Sequence, residues 1–271
     1  MTSSSRTDAF TTSGTGWFRR FHPAAADAPR LLCFPHAGGS ANSYHRLSEA
    51  LSPDVEVIAV QYPGRQDRHR EPVLTDLREL AGLIRAELPV LGPAPACFGH
   101  SMGAMVAFEV VRDLAGQPPV LFAAGRRAPS RSTQSCVHPM SDADILADVE
   151  LLGGMDARQL RSRALTRLVL PVLRGDYEAI DTYRYEPGPP LRCPIVVLAG
   201  DEDPMTPVED ALAWSDHGAA GGDSHVLPGG HFFVDAHRDR IAQIIRARLA
   251  VTGGGAHRPD LPILSSEESH A

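Results

Sequence analysis

The stretch Ala96-Cys-Phe-Gly-His-Ser-Met-Gly103 decides how the rest of this chain is read. Ala94 to Gly99 is a short apolar run that reads as a buried strand. Met102 to Leu114 follows with a helical pattern. Gly99-His-Ser-Met-Gly103 therefore lies at a strand-to-helix junction, the setting in which Gly-x-Ser-x-Gly forms a nucleophile elbow. A serine at so sharp a turn is held in strained backbone geometry, with its hydroxyl pushed clear of the sheet. Strand and helix backbones approach closely there, so the residues two before and two after the serine must be small, and both are glycine. The first amides of the following helix point at the same place.

Outward from this junction, further β-type runs are Trp17 to Phe21, Arg30 to Phe34, Val55 to Val60, Val120 to Ala124, Pro194 to Ala199 and Ser224 to Leu227. Helical patterns fill the gaps: Ser40 to Leu51, Thr75 to Leu88, Pro207 to Trp214 and Val234 to Leu249. Thr75 is the expected cap of the second, whose stripe is Leu77, Leu80, Leu83, Ile84 and Leu88. This alternation predicts an α/β fold with a mainly parallel twisted sheet flanked by helices. One interval breaks the rhythm. From about Ser130 to Pro190 there is no strand pattern, only helical stretches at Ser141 to Leu152 and Asp156 to Tyr185, parted by Gly153 and Gly154. Such an insertion sits over the carboxyl ends of the strands, where open α/β sheets bind ligands, and reads as a helical lid. Residues 1–16 and 252–271 are polar, Gly/Ser-rich or Pro-broken and read as flexible tails around one domain, 17–251.

The chain has 271 residues, 33 acidic and 26 basic, for a net charge of −7. Every basic residue is arginine, which excludes a lysine Schiff base, a PLP anchor and a Walker A loop. The acidic balance argues against nucleic acid as a partner. No apolar run approaches the roughly 20 residues of a membrane-spanning helix, and the N-terminus lacks the apolar core of a secretory signal. Cysteines stand at 33, 97, 136 and 193 without Cys-x-x-Cys spacing, so neither a zinc site nor a redox pair is suggested. Cys33 and Cys97 read as small core residues. The expectation is a soluble cytoplasmic protein with no metal.

A serine hydroxyl needs a base within hydrogen-bond reach, and the base needs an orienting carboxylate. In this topology the chain order is serine, acid, histidine. Gly200-Asp-Glu-Asp-Pro204 follows one strand run and Pro228-Gly-Gly-His-Phe232 follows the next, both at the edge that carries Ser101. His231 sits in a Gly-Gly loop at that edge. His22, His45, His69, His138, His217, His225, His257 and His270 read as surface or structural. Asp203, stiffened by Pro204, is preferred as the acid; Asp201, or a carboxylate further back on another strand, is the alternative, and Asp201 and Glu202 read otherwise as turn formers. The tetrahedral intermediate needs two backbone amides. Met102 supplies one, and the loop Phe34-Pro-His-Ala-Gly-Gly39 supplies the other, with Ala37 the chosen donor.

Taken together, Phe34-Pro-His-Ala-Gly-Gly39, Gln61-Tyr-Pro-Gly-Arg65, Gly99-His-Ser-Met-Gly103, Gly125-Arg-Arg-Ala-Pro129, Gly200-Asp-Glu-Asp-Pro204 and Gly230-His-Phe-Phe233 span nearly the whole ordered chain. On them the chain resembles the stand-alone type II thioesterases of polyketide and nonribosomal peptide assembly lines, in the α/β-hydrolase superfamily. The resemblance implies an editing enzyme that removes aberrant or stalled acyl groups from the phosphopantetheine of carrier domains, through an acyl-serine. It puts the triad on Ser101, Asp203 and His231, with the insertion as lid over the acyl chamber. It implies no cofactor of the chain's own, since the phosphopantetheine belongs to the partner, and family habit implies a monomer. Ala124 departs from the small hydroxyl residue expected before Gly125. A shallow, mobile lid suggests low selectivity, set by acyl length and bulk.

The arginines at 126, 127, 131, 158, 161, 163 and 167 form either a cationic rim that steers an acidic carrier or, more commonly for such runs, a solvated face with local ion pairs. Arg65 and Arg68 read as structural ties between the Tyr62 turn and a neighbouring carboxylate. The competing functions are a carboxylesterase or acyl-CoA thioesterase on the same fold, a product-release thioesterase, and a silent interaction module.

Overall fold

Alternate residues of the central strands go to opposite faces of one sheet, and both faces are apolar. Among the described residues eight strands form it: β1 (Thr11–Thr12), β2 (Phe18–Arg20), β3 (Arg30–Phe34), β4 (Glu56–Val60), β5 (Ala96–His100), β6 (Leu121–Ala124), β7 (Ile195–Gly200) and β8 (Ser224–Leu227), in the order β1-β2-β4-β3-β5-β6-β7-β8. The α-helices among the described residues are α1 (His45–Leu51), α2 (Leu77–Glu87), α3 (Met102–Arg112), α4 (Asp142–Leu152), α5 (Arg163–Thr182), α6 (Val208–Leu212), α7 (Phe233–Ala236) and α8 (Arg238–Gly253). This computed structural model describes residues 11–12, 16–131, 141–154 and 162–253. Leu31, Cys33, Phe98 and Leu198 pack with α1 and α8 on one face; Leu32, Phe34, Cys97 and Val197 pack with α2 and α3 on the other. Burial on both sides is why these strands read as unbroken apolar runs.

Strands β3 to β8 run parallel with their neighbours, while β2 lies antiparallel on β4 and β1 antiparallel on β2. The chain leaves β3 outward to β4 and then returns to β5 on the other side of β3. The loops after β3 and β5 thus part company, and the crevice between them is where a sheet of this kind binds ligands. This is the α/β-hydrolase fold.

Several boundaries differ from the sequence reading. Asp76, not Thr75, caps α2: its carboxylate accepts from the amides of Arg78 (2.8 Å) and Glu79 (2.9 Å). A carboxylate one residue nearer the first turn reaches those two amides. Val234 to Leu249 is two helices, parted at His237, whose Nε2 lies 2.7 Å from the Pro228 carbonyl. The last helix continues through Gly253, past the expected tail boundary. Thr11–Thr12 forms a short edge strand inside the segment read as a tail, because ladder pairing with Arg19 and Arg20 needs only backbone.

Among the described residues the insertion between β6 and β7 carries the helices α4 and α5, and 183–190 runs on without helix. Ser141 caps α4 reciprocally with Asp144. Ile145, Val149 and Leu173 form a small core of their own between α4 and α5. The expected helical stretch from Asp156 is seen from Arg163 onward; residues 155–161 lie outside the described residues, as do 132–140. So do Cys136, His138, Arg158, Arg161, His257, His270 and all of the two tails except 11–12, 16 and 252–253.

Candidate active site

The turn from β5 into α3 is as tight as its glycines require. A Cβ at Gly99 would lie 2.3 Å from the Gly103 carbonyl oxygen, and one at Gly103 only 1.9 Å from that of Phe34. Between them Ser101 takes φ +55 and ψ −119, in the half of backbone space that favours glycine. Such a conformation costs on the order of 1–3 kcal/mol and persists because its surroundings fix it. The Ser101 amide donates to the Ala124 carbonyl at 2.9 Å, which ties the elbow to β6.

Three side chains far apart in the chain meet at this point. Ser101 Oγ lies 2.9 Å from His231 Nε2, and His231 Nδ1 lies 2.8 Å from Asp203 Oδ2. All three residues are buried. The other Asp203 oxygen accepts from the Met205 amide at 2.9 Å, so the carboxylate is held at both ends. Asp201 is elsewhere: it is exposed and accepts the Gly229 amide at 2.8 Å, which braces the loop that carries His231. Of the two candidate acids, only Asp203 reaches the imidazole. The arrangement can take the serine proton onto Nε2 while the carboxylate holds the Nδ1 proton.

Two further imidazoles crowd this centre. His100 Nε2 lies 2.8 Å from the His231 carbonyl. Burial holds His100 well below its ordinary pKa, so a neutral ring donates to that carbonyl and fixes the backbone of the base. His36 meets His100 edge-on at 5.5 Å and Phe232 at 4.9 Å. Burial, then His231 and Arg65, lower its pKa to about 4. Neither ring was expected at the site, although each stood inside a quoted motif beside a chosen residue.

The loop after β3 has its polar groups assigned one by one. The Phe34 carbonyl accepts from the Tyr44 hydroxyl (2.6 Å), and the Pro35 carbonyl from the Tyr62 hydroxyl (3.3 Å). The Gly39 amide turns back onto the His36 carbonyl (2.9 Å), and the Gly38 amide donates to Asp176 Oδ2 (2.7 Å). Among the described residues the Ala37 amide meets no acceptor. The Met102 amide is at the first position of α3, where a helix offers none. Ala37 and Met102 are the residues whose amides the sequence reading chose for an oxyanion.

Arg65 is buried in a two-pronged pair with Asp176, at 2.9 and 2.8 Å, and it also donates to the Gly39 carbonyl at 2.9 Å. It is the expected structural tie, made to a carboxylate of α5. Arg68 pairs with Glu71 and lies over the Trp17 ring at 4.1 Å.

Over the serine stands a partly open cavity of about 420 Å³. Val149, Leu152, Val169 and Leu173 of the insertion supply an apolar wall. Another part is polar. The Tyr177 hydroxyl donates to Asp148 at 2.7 Å, burial raises the Asp181 pKa, and burial lowers that of Arg126. Arg126 and Arg127, read from the sequence as part of either a cationic rim or a solvated face with local ion pairs, both line this chamber; Arg127 also donates to the Met205 carbonyl at 2.9 Å and pairs with Asp210 at 3.5 Å, as the second of those readings has it. Arg131 and Arg167 are exposed. The Arg163 side chain lies outside the described residues.

A family model described as "Thioesterase domain" matches residues 29–249. A probable cadicidin biosynthesis thioesterase of Streptomyces griseus is 47% identical over 229 residues, covering 83% of this chain and 63% of that relative, so the chain spans under two thirds of its length. Thioesterase PikA5 of Streptomyces venezuelae is 43% identical over 259 residues, covering 93% and 91% of the two chains. Among solved structures, the type II thioesterase BorB from the borrelidin biosynthetic cluster superposes with a TM-score of 0.82 at 44% identity, covering 88% of this chain and 100% of that one. With that match across most of its length, the chain belongs to the thioesterase domain family.

Proposed function

We propose that this chain is a stand-alone editing thioesterase, which hydrolyses aberrant or stalled acyl groups from the phosphopantetheine of carrier domains in polyketide or nonribosomal peptide synthesis. The observation that carries the reading is the unbroken chain of contacts from Ser101 through His231 to Asp203, at 2.9 and 2.8 Å, beneath a partly open chamber. Ser101 Oγ attacks the thioester carbonyl as His231 takes its proton. The oxyanion accepts from the Ala37 and Met102 amides. Collapse breaks the C–S bond and releases the carrier thiol, which takes the proton back from His231. Water, activated by the same imidazole, then splits the acyl-serine to the free acid. A thiolate leaves readily, so little leaving-group assistance is needed.

The chamber's mixed lining suits short acyl groups of varied polarity rather than one long chain. The enzyme acts in the cytoplasm as a monomer, needs no cofactor of its own, and meets carrier domains as its partners. Among the described residues no helix is long and apolar enough to cross a membrane.

The test is mass spectrometry of carrier domains loaded with several short acyl groups, before and after exposure to the protein, beside oxygen esters of the same acids. Loss of each acyl mass, with thioester cleaved far faster than oxygen ester, is expected. Intact acyl-carriers with rapid oxygen-ester cleavage would make it a carboxylesterase. Cleavage confined to a full-length product chain would make it a release enzyme.

A further inference from the structure

We infer that Asp176, on the lid helix α5, is a positioning residue for the oxyanion site: its carboxylate fixes the loop that presents the Ala37 amide. The inference rests on the acyl-serine chemistry proposed above and adds a residue of the lid to it.

Asp176 is 1% exposed, so water does not compete for its oxygens. One oxygen accepts from the Gly38 amide at 2.7 Å and from Arg65 at 2.9 Å; the other accepts from Arg65 at 2.8 Å. Arg65 in turn grips the Gly39 carbonyl at 2.9 Å. The ion pair thus holds the backbone on both sides of Gly38. Charge-assisted, two-pronged bonds of this kind are the strongest hydrogen bonds available to fix a backbone.

Gly38 has φ +74, so the chain turns sharply just after Ala37. Successive amides in such a turn tend to converge on one anion. Asp176 takes the Gly38 amide for itself and leaves the neighbouring Ala37 amide as the free donor. Gly39 is removed as well, by the His36 carbonyl. The carboxylate therefore selects which amide faces the chamber, and Arg65 cancels the charge that would otherwise repel an oxyanion.

The lid helix is suited to this task because it is fastened to the body twice. Besides Asp176, the Tyr183 hydroxyl just beyond its end donates to buried Glu109 at 2.6 Å. Of these two hydrogen-bonded anchors Asp176 is the one that reaches the oxyanion loop, and Leu173 of the same helix packs beside it, where a Cβ on Gly38 would lie 2.5 Å from its Cδ2. A purely structural ion pair and a positioning one make different predictions. So does pure electrostatics: Asp176→Asn leaves the Arg65 charge uncancelled near the oxyanion, which by charge alone would raise turnover, whereas positioning lowers it.

The experiment uses the full chain with a propionyl thioester of N-acetylcysteamine as substrate. Two ligands of the same acyl length are compared: a trifluoromethyl ketone, which forms an oxyanion on the serine, and an unreactive thioether. For Asp176→Asn, kcat is expected to fall about 10- to 100-fold, short of the roughly 10²–10³ seen when a whole oxyanion donor is removed. KM stays within about threefold on this reading, since ground-state binding is untouched. Ketone affinity falls in step with kcat, and thioether affinity does not. Glu109→Ala, which loosens the other anchor, leaves the ratio of the two affinities unchanged.

If Asp176→Asn does not fold, Arg65→Met with Asp176→Leu removes both buried charges and is expected to show the same selective loss of ketone affinity. Unchanged or increased kcat, or equal weakening of both ligands, overturns the role of Asp176. Failure of the ketone to inhibit the unaltered protein, or full turnover by Ser101→Ala, instead overturns the acyl-serine reading itself, and Asp176's role with it.

Discussion

Replacing Gly103 by alanine tests whether the elbow and the oxyanion loop are built against each other. The added Cβ would sit 1.9 Å from the Phe34 oxygen, 2.6 Å from the Phe34 carbonyl carbon and 2.7 Å from the Pro35 oxygen. All three are backbone atoms, so no side chain can swing aside. Reaching even 3.0 Å, the tightest tolerable contact, takes a backbone movement of about 1.1 Å. Either the start of α3 retreats with Ser101 and Met102, or the end of β3 retreats with the loop to Ala37. Both sides of the proposed oxyanion site are at stake. Overpacking of this kind costs about 1–3 kcal/mol, or about 2–12 °C in Tm for a domain of this size. A misplacement near 1 Å costs on the order of 100-fold in rate. Turnover of a short acyl thioester and a thermal melt are the assays. The matched control is Gly82→Ala inside α2, where no atom lies within 4 Å of the new Cβ; it is expected to gain about 0.5–1 kcal/mol. Wild-type Tm and turnover in Gly103→Ala would refute the reasoning.

Asp203→Asn is expected to lower kcat by about 10³–10⁴, as loss of the orienting carboxylate does in other triads, while Asp201→Asn stays within about tenfold because it only braces the Gly229 amide; equal losses in a steady-state assay would mean that the acid is misassigned. The lowered pKa of His36 predicts a pH slope in stability. Folded His36 stays neutral down to about 4, against an ordinary 6.5, so the unfolded chain binds the extra proton. Its contribution is whole above pH 6.5 and is lost as pH falls towards 4, by at most about 3 kcal/mol. Urea midpoints measured across that range should fall more steeply for the native protein than for His36→Gln, and parallel curves would contradict the sign worked here.

Much of this architecture is legible in the chain because its signals are local. Buried parallel strands are short apolar runs, the elbow needs its two glycines, and chain order limits where a base and an acid can stand. What the residues leave silent is contact between distant segments with no period of their own. Arg65 and Asp176 are 111 positions apart, and Gly38 and Asp176 are 138 apart. Nothing in the helical pattern of α5 marks one aspartate as the partner of a turn. The arginines after β6 are visible as a cluster, but whether they point out to a rim or into a chamber depends on the insertion that covers them. The two extra imidazoles escape for a different reason: their neighbours in the motifs, Ser101 and Ala37, account for those motifs without them. Thr11–Thr12 pairs through backbone alone, which leaves no mark in side-chain composition.

The proposed chemistry turns on an acyl group resting on one serine oxygen. Rapid quenching of the protein with excess acyl-carrier, followed by digestion and peptide mass spectrometry, tests this most directly. The acyl mass is expected on the peptide that holds Ser101, absent from Ser101→Ala, and accumulated in a His231→Ala variant treated with an activated acyl donor, where deacylation lacks its base. An acyl group found on a cysteine such as Cys193, or undiminished carrier hydrolysis by Ser101→Ala with no adduct at all, would contradict it.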